Sequence, residues 1–147
     1  MSTRAVYTFK DREDTFNVYK HHDGYPEGAL SFIKKATLYA WELPRFEPDE
    51  FGASFIAANK DGEGSVRLTS DFKRHGDLAY RYEITLKDEN LFVKIYGAKD
   101  WSLGGVQKYK LEDSGFLDDL IKSYKIATTL SNVEVSQWVK KYILKEH

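Results

Sequence analysis

Leu78-Ala79-Tyr80-Arg81-Tyr82-Glu83-Ile84-Thr85-Leu86 alternates large apolar residues with small or polar ones at every step. A period of two puts Leu78, Tyr80, Tyr82, Ile84 and Leu86 on one face and Ala79, Arg81, Glu83 and Thr85 on the other, which predicts a half-buried antiparallel strand. Downstream, Lys87-Asp88-Glu89-Asn90 turns the chain into Leu91-Phe92-Val93-Lys94-Ile95-Tyr96, and a third strand is expected from Val106 to Leu111. Turns this short make neighbouring strands pair antiparallel. Upstream, Ala5, Tyr7 and Phe9 share one row and Val6 and Thr8 the other. After Asp11-Arg12-Glu13-Asp14 the pattern resumes with Phe16 and Val18, so a hairpin with a charged turn is expected.

Between these strands the period changes. Leu30, Ile33, Thr37, Leu38 and Trp41 fall at three- and four-residue spacing and predict a helix from Ala29 to Trp41, ended by Leu43-Pro44. A second helix is expected from Pro48 or Asp49 to near Asn59, with Phe51, Phe55 and Ile56 on its inner face. The stretch 60–77 is polar and Gly-bearing, apart from a short strand at Val66-Arg67-Leu68, and mobility is expected there. Asp113 or Ser114 would cap a third helix carrying Phe116, Leu117, Leu120, Ile121 and Tyr124 inward. Ser131-Asn132-Val133-Glu134 is a capping box for a fourth carrying Val135, Trp138, Val139, Tyr142 and Ile143. The order ββ-αα-βββ-αα predicts a single α+β domain over residues 1–147. Its antiparallel sheet would have about five strands, packed by four helices.

With 147 residues, 41% hydrophobic and 15% aromatic, the chain can bury a core without staples, which excludes disorder for most of it. Lys and Arg number 22 against 23 Asp and Glu, a net charge of −1, so no global field draws it to nucleic acid or an anionic membrane. Nucleic acid is therefore not an expected partner, although a local basic patch stays open. The absence of cysteine excludes disulfides, thiolate catalysis and Cys-type zinc sites. Met1-Ser2-Thr3-Arg4-Ala5 enters a strand with no apolar leader, and no apolar run approaches the roughly 20 residues of a membrane span, so a cytoplasmic chain is expected.

Proton carriers near neutral pH are few: His21, His22, His75 and His147. His21-His22-Asp23-Gly24 and Arg74-His75-Gly76-Asp77 share a make-up of His near Asp around a Gly. If the two loops meet, they could form an acid/base or metal site. No zinc-type ligand spacing links them, and no cofactor is named by the pattern. In the plainer reading His21 and His22 point to opposite faces, while Asp23 and Asp77 organise turns. Tyr19 and Tyr25 flank the first loop, and Trp101 stands in a Gly-rich one, where it could wall a ligand or partner site. Tyr80, Arg81, Tyr82, Lys94 and Tyr96 have the local grammar of an RNA-binding sheet face, but alternation places Tyr80 and Tyr82 with the core. There is no Gly-x-Ser-x-Gly elbow, and Asp61-Gly62-Glu63-Gly64-Ser65 lacks the register of a calcium loop.

The N-terminal Ser-Thr-Arg-Ala strand and the run Tyr19-Lys20-His21-His22-Asp23-Gly24-Tyr25-Pro26 resemble a group of small uncharacterised proteins of bacteria, phages and prophages. Those proteins begin similarly and carry a Tyr-basic-His-x-Asp-Gly-Tyr-Pro stretch. The resemblance covers about the first 30 residues; it implies a phage or prophage type of protein, focuses attention on residues 19–28 and implies no mechanism. Three functions are then in play. The first is a small binding protein acting on a host protein or on a small ligand such as a nucleotide, with Tyr19, His21, Asp23, Tyr25, His75, Asp77 and Trp101 as candidate contacts. The alternative is a hydrolase or phosphoryl-transfer enzyme using His21, Asp23, His75 and Asp77, alone or on a metal. The third is single-strand binding through Tyr80, Arg81 and Lys94. A homodimer through the Trp138 face is open as well.

Overall fold

Both rows of the first strand, Ala5 to Phe9, are buried. The computed structural model describes residues 3–100, 107–127 and 140–141. It shows why: β1 (Ala5–Lys10) lies inside a six-stranded sheet rather than at its rim. The strands β2 (Thr15–Lys20), β3 (Val66–Thr69), β4 (Tyr80–Lys87), β5 (Asn90–Asp100) and β6 (Lys108–Phe116) complete it, in the order β3-β2-β1-β4-β5-β6. β1 pairs antiparallel with β2 and parallel with β4. The class is α+β, and two finer expectations are corrected: the sheet is mixed, and it has six strands. The short-turn rule binds only consecutive strands, and β4 reaches β1 after a long excursion. A parallel pair buried on both faces needs apolar residues in both rows, which β1 supplies.

One face carries the α-helices. In α1 (Pro26–Ala36) the buried residues are Ala29, Leu30, Ile33 and Ala36, and in α2 (Pro48–Asn59) Phe51 and Phe55 press on Phe9 at 5.5 and 5.4 Å between ring centroids. Fully burying rings of this size stabilises the fold by about 1.5–3 kcal/mol each. The second helix matches its expected bounds. The first starts earlier, because Pro26 needs no donor in the first turn and Tyr25, extended at ψ 158°, leads into it. It also ends at Ala36, so Trp41 is 39% exposed, with the Arg45 guanidinium 3.4 Å from its ring centroid.

α3 (Leu117–Ser123) buries Leu117, Leu120 and Ile121 as its spacing predicts, but it does not begin at Asp113 or Ser114. Those two residues prolong β6, where Asp113 accepts a hydrogen bond from the Tyr124 hydroxyl at 3.1 Å. The expected fourth helix and Trp101 lie outside the described residues, except that Lys140 and Lys141 are helical. The Lys141 ammonium donates to the carbonyls of Thr37, at 2.6 Å, and Ala40, at the negative end of α1. Among the described residues, no helix is long and apolar enough to cross a membrane.

Candidate functional site

The pleat that sends Tyr7 and Tyr82 toward the helices sends Val6, Tyr19 and Arg81 to the opposite face. Register aligns one row across five strands on that face: Arg67, Tyr19, Val6, Arg81 and Tyr96. Leu78 joins Val6 and Tyr19 there rather than the Tyr82 row, because β4 begins only at Tyr80 and Leu78 precedes the alternation. Among the described residues, the cover is a single-turn 3-10 helix, Phe72–Arg74, and the chain leading from it to Leu78. Asp71 fixes that turn by accepting from the Lys73 amide at 3.0 Å.

Two aromatic groups result. At the β1–β2–β3 end, His75 stacks on Tyr19 with ring centroids 4.3 Å apart and planes 11° from parallel, and the His75 Nε2 shares a 2.9 Å hydrogen bond with the Thr69 hydroxyl. The Tyr19 hydroxyl in turn shares a 2.9 Å hydrogen bond with His21 Nδ1, and the Arg67 guanidinium lies 4.9 Å from the Tyr19 ring centroid. Arg4, which pairs with Asp77, stands close enough to His21 to act on its charge. Toward the middle, the Arg81 guanidinium is 3.4 Å from the centroid of Phe72, 5.2 Å from that of Tyr96 and 5.3 Å from that of Tyr109.

Partial burial and neighbouring cations favour the neutral form of both imidazoles. Partial burial, followed by the charges of Arg67 and Arg74, pushes the His75 pKa below its ordinary value, and partial burial with Arg4, His22 and Arg67 does the same for His21. A neutral imidazole offers one donor and one acceptor and a ring that stacks. Arg81 loses some basicity to burial, yet an arginine stays protonated at any working pH.

The structure therefore brings Tyr19, His21 and His75 together, with Asp77 beside them through Arg4, and takes Asp23 and Tyr25 elsewhere. Those two line a cavity of about 410 Å³ between α1 and residues 124–127, with Glu27, Phe32, Tyr124 and Lys125. Asp23 itself takes the left-handed conformation, at φ 57°, where Gly24 would be the expected residue for such a kink. Gly24 serves a different need: a Cβ there would stand 2.7 Å from the Ala5 Cβ and 2.9 Å from the Thr3 carbonyl oxygen. Lys20, 4% exposed, donates to the His22 carbonyl at 3.1 Å and lies 4.0 Å from the Phe32 ring centroid, so burial lowers its pKa.

Sequence reasoning missed Arg4, Arg67, Phe72 and Tyr109. The first two carried a signal: Arg4 falls on the Val6 row, and Arg67 is the middle residue of a recognised strand. Among the described residues, no group of three or more His, Asp and Glu side chains is placed to hold a metal ion. No protein-family model, no curated protein and no solved structure matches this chain.

Proposed function

We propose that this chain is a small binding protein whose working surface is the sheet face opposite the helices, and that its ligand combines a flat ring with an anionic group, as a nucleotide does. The observation that supports this reading is the Tyr19–His75 stack with Arg67 over it and His21 and Arg4 beside it. His75 is the partly exposed ring of that pair, stacking on such a ring contributes about 1–3 kcal/mol per base, and a guanidinium adds a fork of donors for phosphate or carboxylate. The hydrolase reading draws less support, because Asp23 lines another cavity and Asp77 is held by Arg4.

Isothermal titration with adenosine monophosphate and with adenosine tests it. The monophosphate binds more tightly than the nucleoside, and Arg67→Ala removes most of that difference. Absence of heat with the monophosphate at millimolar concentration contradicts the proposal. So does binding that survives Arg67→Ala and is lost in Glu27→Gln, which would move the site to the cavity beside Tyr25.

A further inference from the structure

The chain is nearly neutral overall, but cations gather on one face. Arg4, Lys10, Arg67, Arg74, Arg81 and Lys94 all belong to the helix-free face or to the turn that covers it. Against them stand Asp71, Asp77 and Glu83, each already engaged: with the Lys73 amide, with Arg4, and with Lys10 at 2.6 Å. The helix side carries both signs, with Glu27, Asp49, Glu50, Asp118 and Asp119 at the helix starts and Lys34, Lys35 and Lys122 at the helix ends. The net charge that argues against nucleic acid is thus an average that conceals a local excess of cations on the helix-free face.

Rings are interleaved with these cations in one direction. From the β3 edge inward come Arg67 over Tyr19, His75 on Tyr19, Phe72 on Arg81, and then Tyr96 and Tyr109. The row crosses four strand spacings, about 19 Å. That is far more than a mononucleotide covers, and it suits the lower end of the roughly 4 to 16 nucleotides engaged by single-strand-binding sheets. The Arg81 Nε has no hydrogen-bond partner among the described residues, and Phe72 is only partly buried on top of it, so a ring and a cation meet at the middle of the row.

We infer that the surface over the row from Arg67 to Tyr96 is a track for single-stranded nucleic acid, with bases stacking on the partly exposed rings of His75, Phe72, Tyr96 and Tyr109 and phosphates following the arginines. This rests on the nucleotide reading of the Tyr19–His75 end and extends it along the sheet. Tyr80 and Tyr82 pack with the helices, as their alternation predicts, and Arg81, Lys94 and Tyr96 point the other way.

Fluorescence anisotropy with labelled AC-repeat oligonucleotides, from dinucleotide to decamer, tests it on the full chain. Affinity rises with length over the first few nucleotides and then levels. With about three phosphates neutralised, affinity falls about 20-fold between 50 and 200 mM salt. Arg67→Ala weakens oligonucleotide binding and flattens the salt dependence by about one phosphate contact, whereas Lys34→Ala on α1 leaves both unchanged. A ribose strand preferred over a deoxyribose one assigns the track to RNA, and equal affinity assigns it to single strands generally; both support the inference. A decamer that binds no better than adenosine monophosphate overturns it and leaves the nucleotide reading standing, while no binding of either overturns both. Duplex bound as well as single strand, or polyglutamate competing as well as the unlabelled oligonucleotide, also overturns it, the second outcome pointing to an acidic protein partner.

Discussion

His75 lies flat on Tyr19, its ring centroid 4.3 Å away and its plane tilted by 11°. The pair ties the turn after β3 to the second strand of the N-terminal hairpin and makes one surface of two segments far apart in sequence. Because Tyr19 also bonds His21, one phenol holds both imidazoles in place. Tyr19 is 4% exposed, so Tyr19→Ala should cost about 3–5 kcal/mol in urea unfolding, as large-to-small ring deletions do. Tyr19→Phe keeps the stack and loses only the bond to His21, at about 1 kcal/mol. Equal losses in both variants would contradict this division.

The two histidines set the direction of a pH effect. Their folded pKa values lie below the ordinary 6.5, so the unfolded chain takes up protons that the folded chain refuses. The stability they contribute is complete above pH 6.5 and declines as the pH falls through their folded pKa values. Histidine ring resonances followed by NMR should titrate below 6.5 for both residues. A midpoint above 6.5 for His75 would contradict the environment assigned to it.

Stacked tyrosines in the core should respond in opposite ways. Tyr7 and Tyr82 lie 5.1 Å apart and 15° from parallel, both buried, but the Tyr82 hydroxyl donates to the Gly24 carbonyl at 2.5 Å while the Tyr7 hydroxyl has no partner among the described residues. Tyr82→Phe orphans a buried carbonyl and should cost about 1–3 kcal/mol; Tyr7→Phe removes an unmet hydroxyl and should be neutral or stabilising. Thermal unfolding of the two variants reads the contrast, and a larger loss for Tyr7→Phe would reverse the assignment.

The turn before α1 should be sensitive at Gly24 rather than at Asp23. Gly24→Ala forces contact with Ala5 and Thr3 and should destabilise by about 1–3 kcal/mol. Asp23→Gly places the permissive residue where φ is positive and should stay within about 1 kcal/mol of wild type. Comparable losses at both positions would mean that the Asp23 side chain is itself a strut of the turn.

Local pattern explains what was legible in the sequence. The hairpin, the β4–β5 turn and the span of α2 follow from alternation, charged turns and a proline at the first helical position, all written within a few residues. The parallel seam between β1 and β4 was not legible, because nothing in a strand's own alternation names a partner 75 residues away, as Tyr80 is from Ala5. Phe72 and Tyr109 were hidden for a related reason, since their meaning comes from the Arg81 guanidinium that the fold sets beside them, whereas Arg4 and Arg67 left a local signal in their strand rows. His21 and His75 were legible as a pair through their similar surroundings. Asp23 parts from His21 because it lies beyond the end of β2, in the turn into α1, where it lines the cavity with Tyr25.

The most direct test is to map amide chemical shifts on titration with adenosine monophosphate. The account predicts perturbations centred on Tyr19, His21, Arg67 and His75, extending toward Phe72 and Arg81. Perturbations confined to Asp23, Tyr25 and Tyr124, or none at millimolar ligand, would contradict the claim that the sheet face opposite the helices is the working surface.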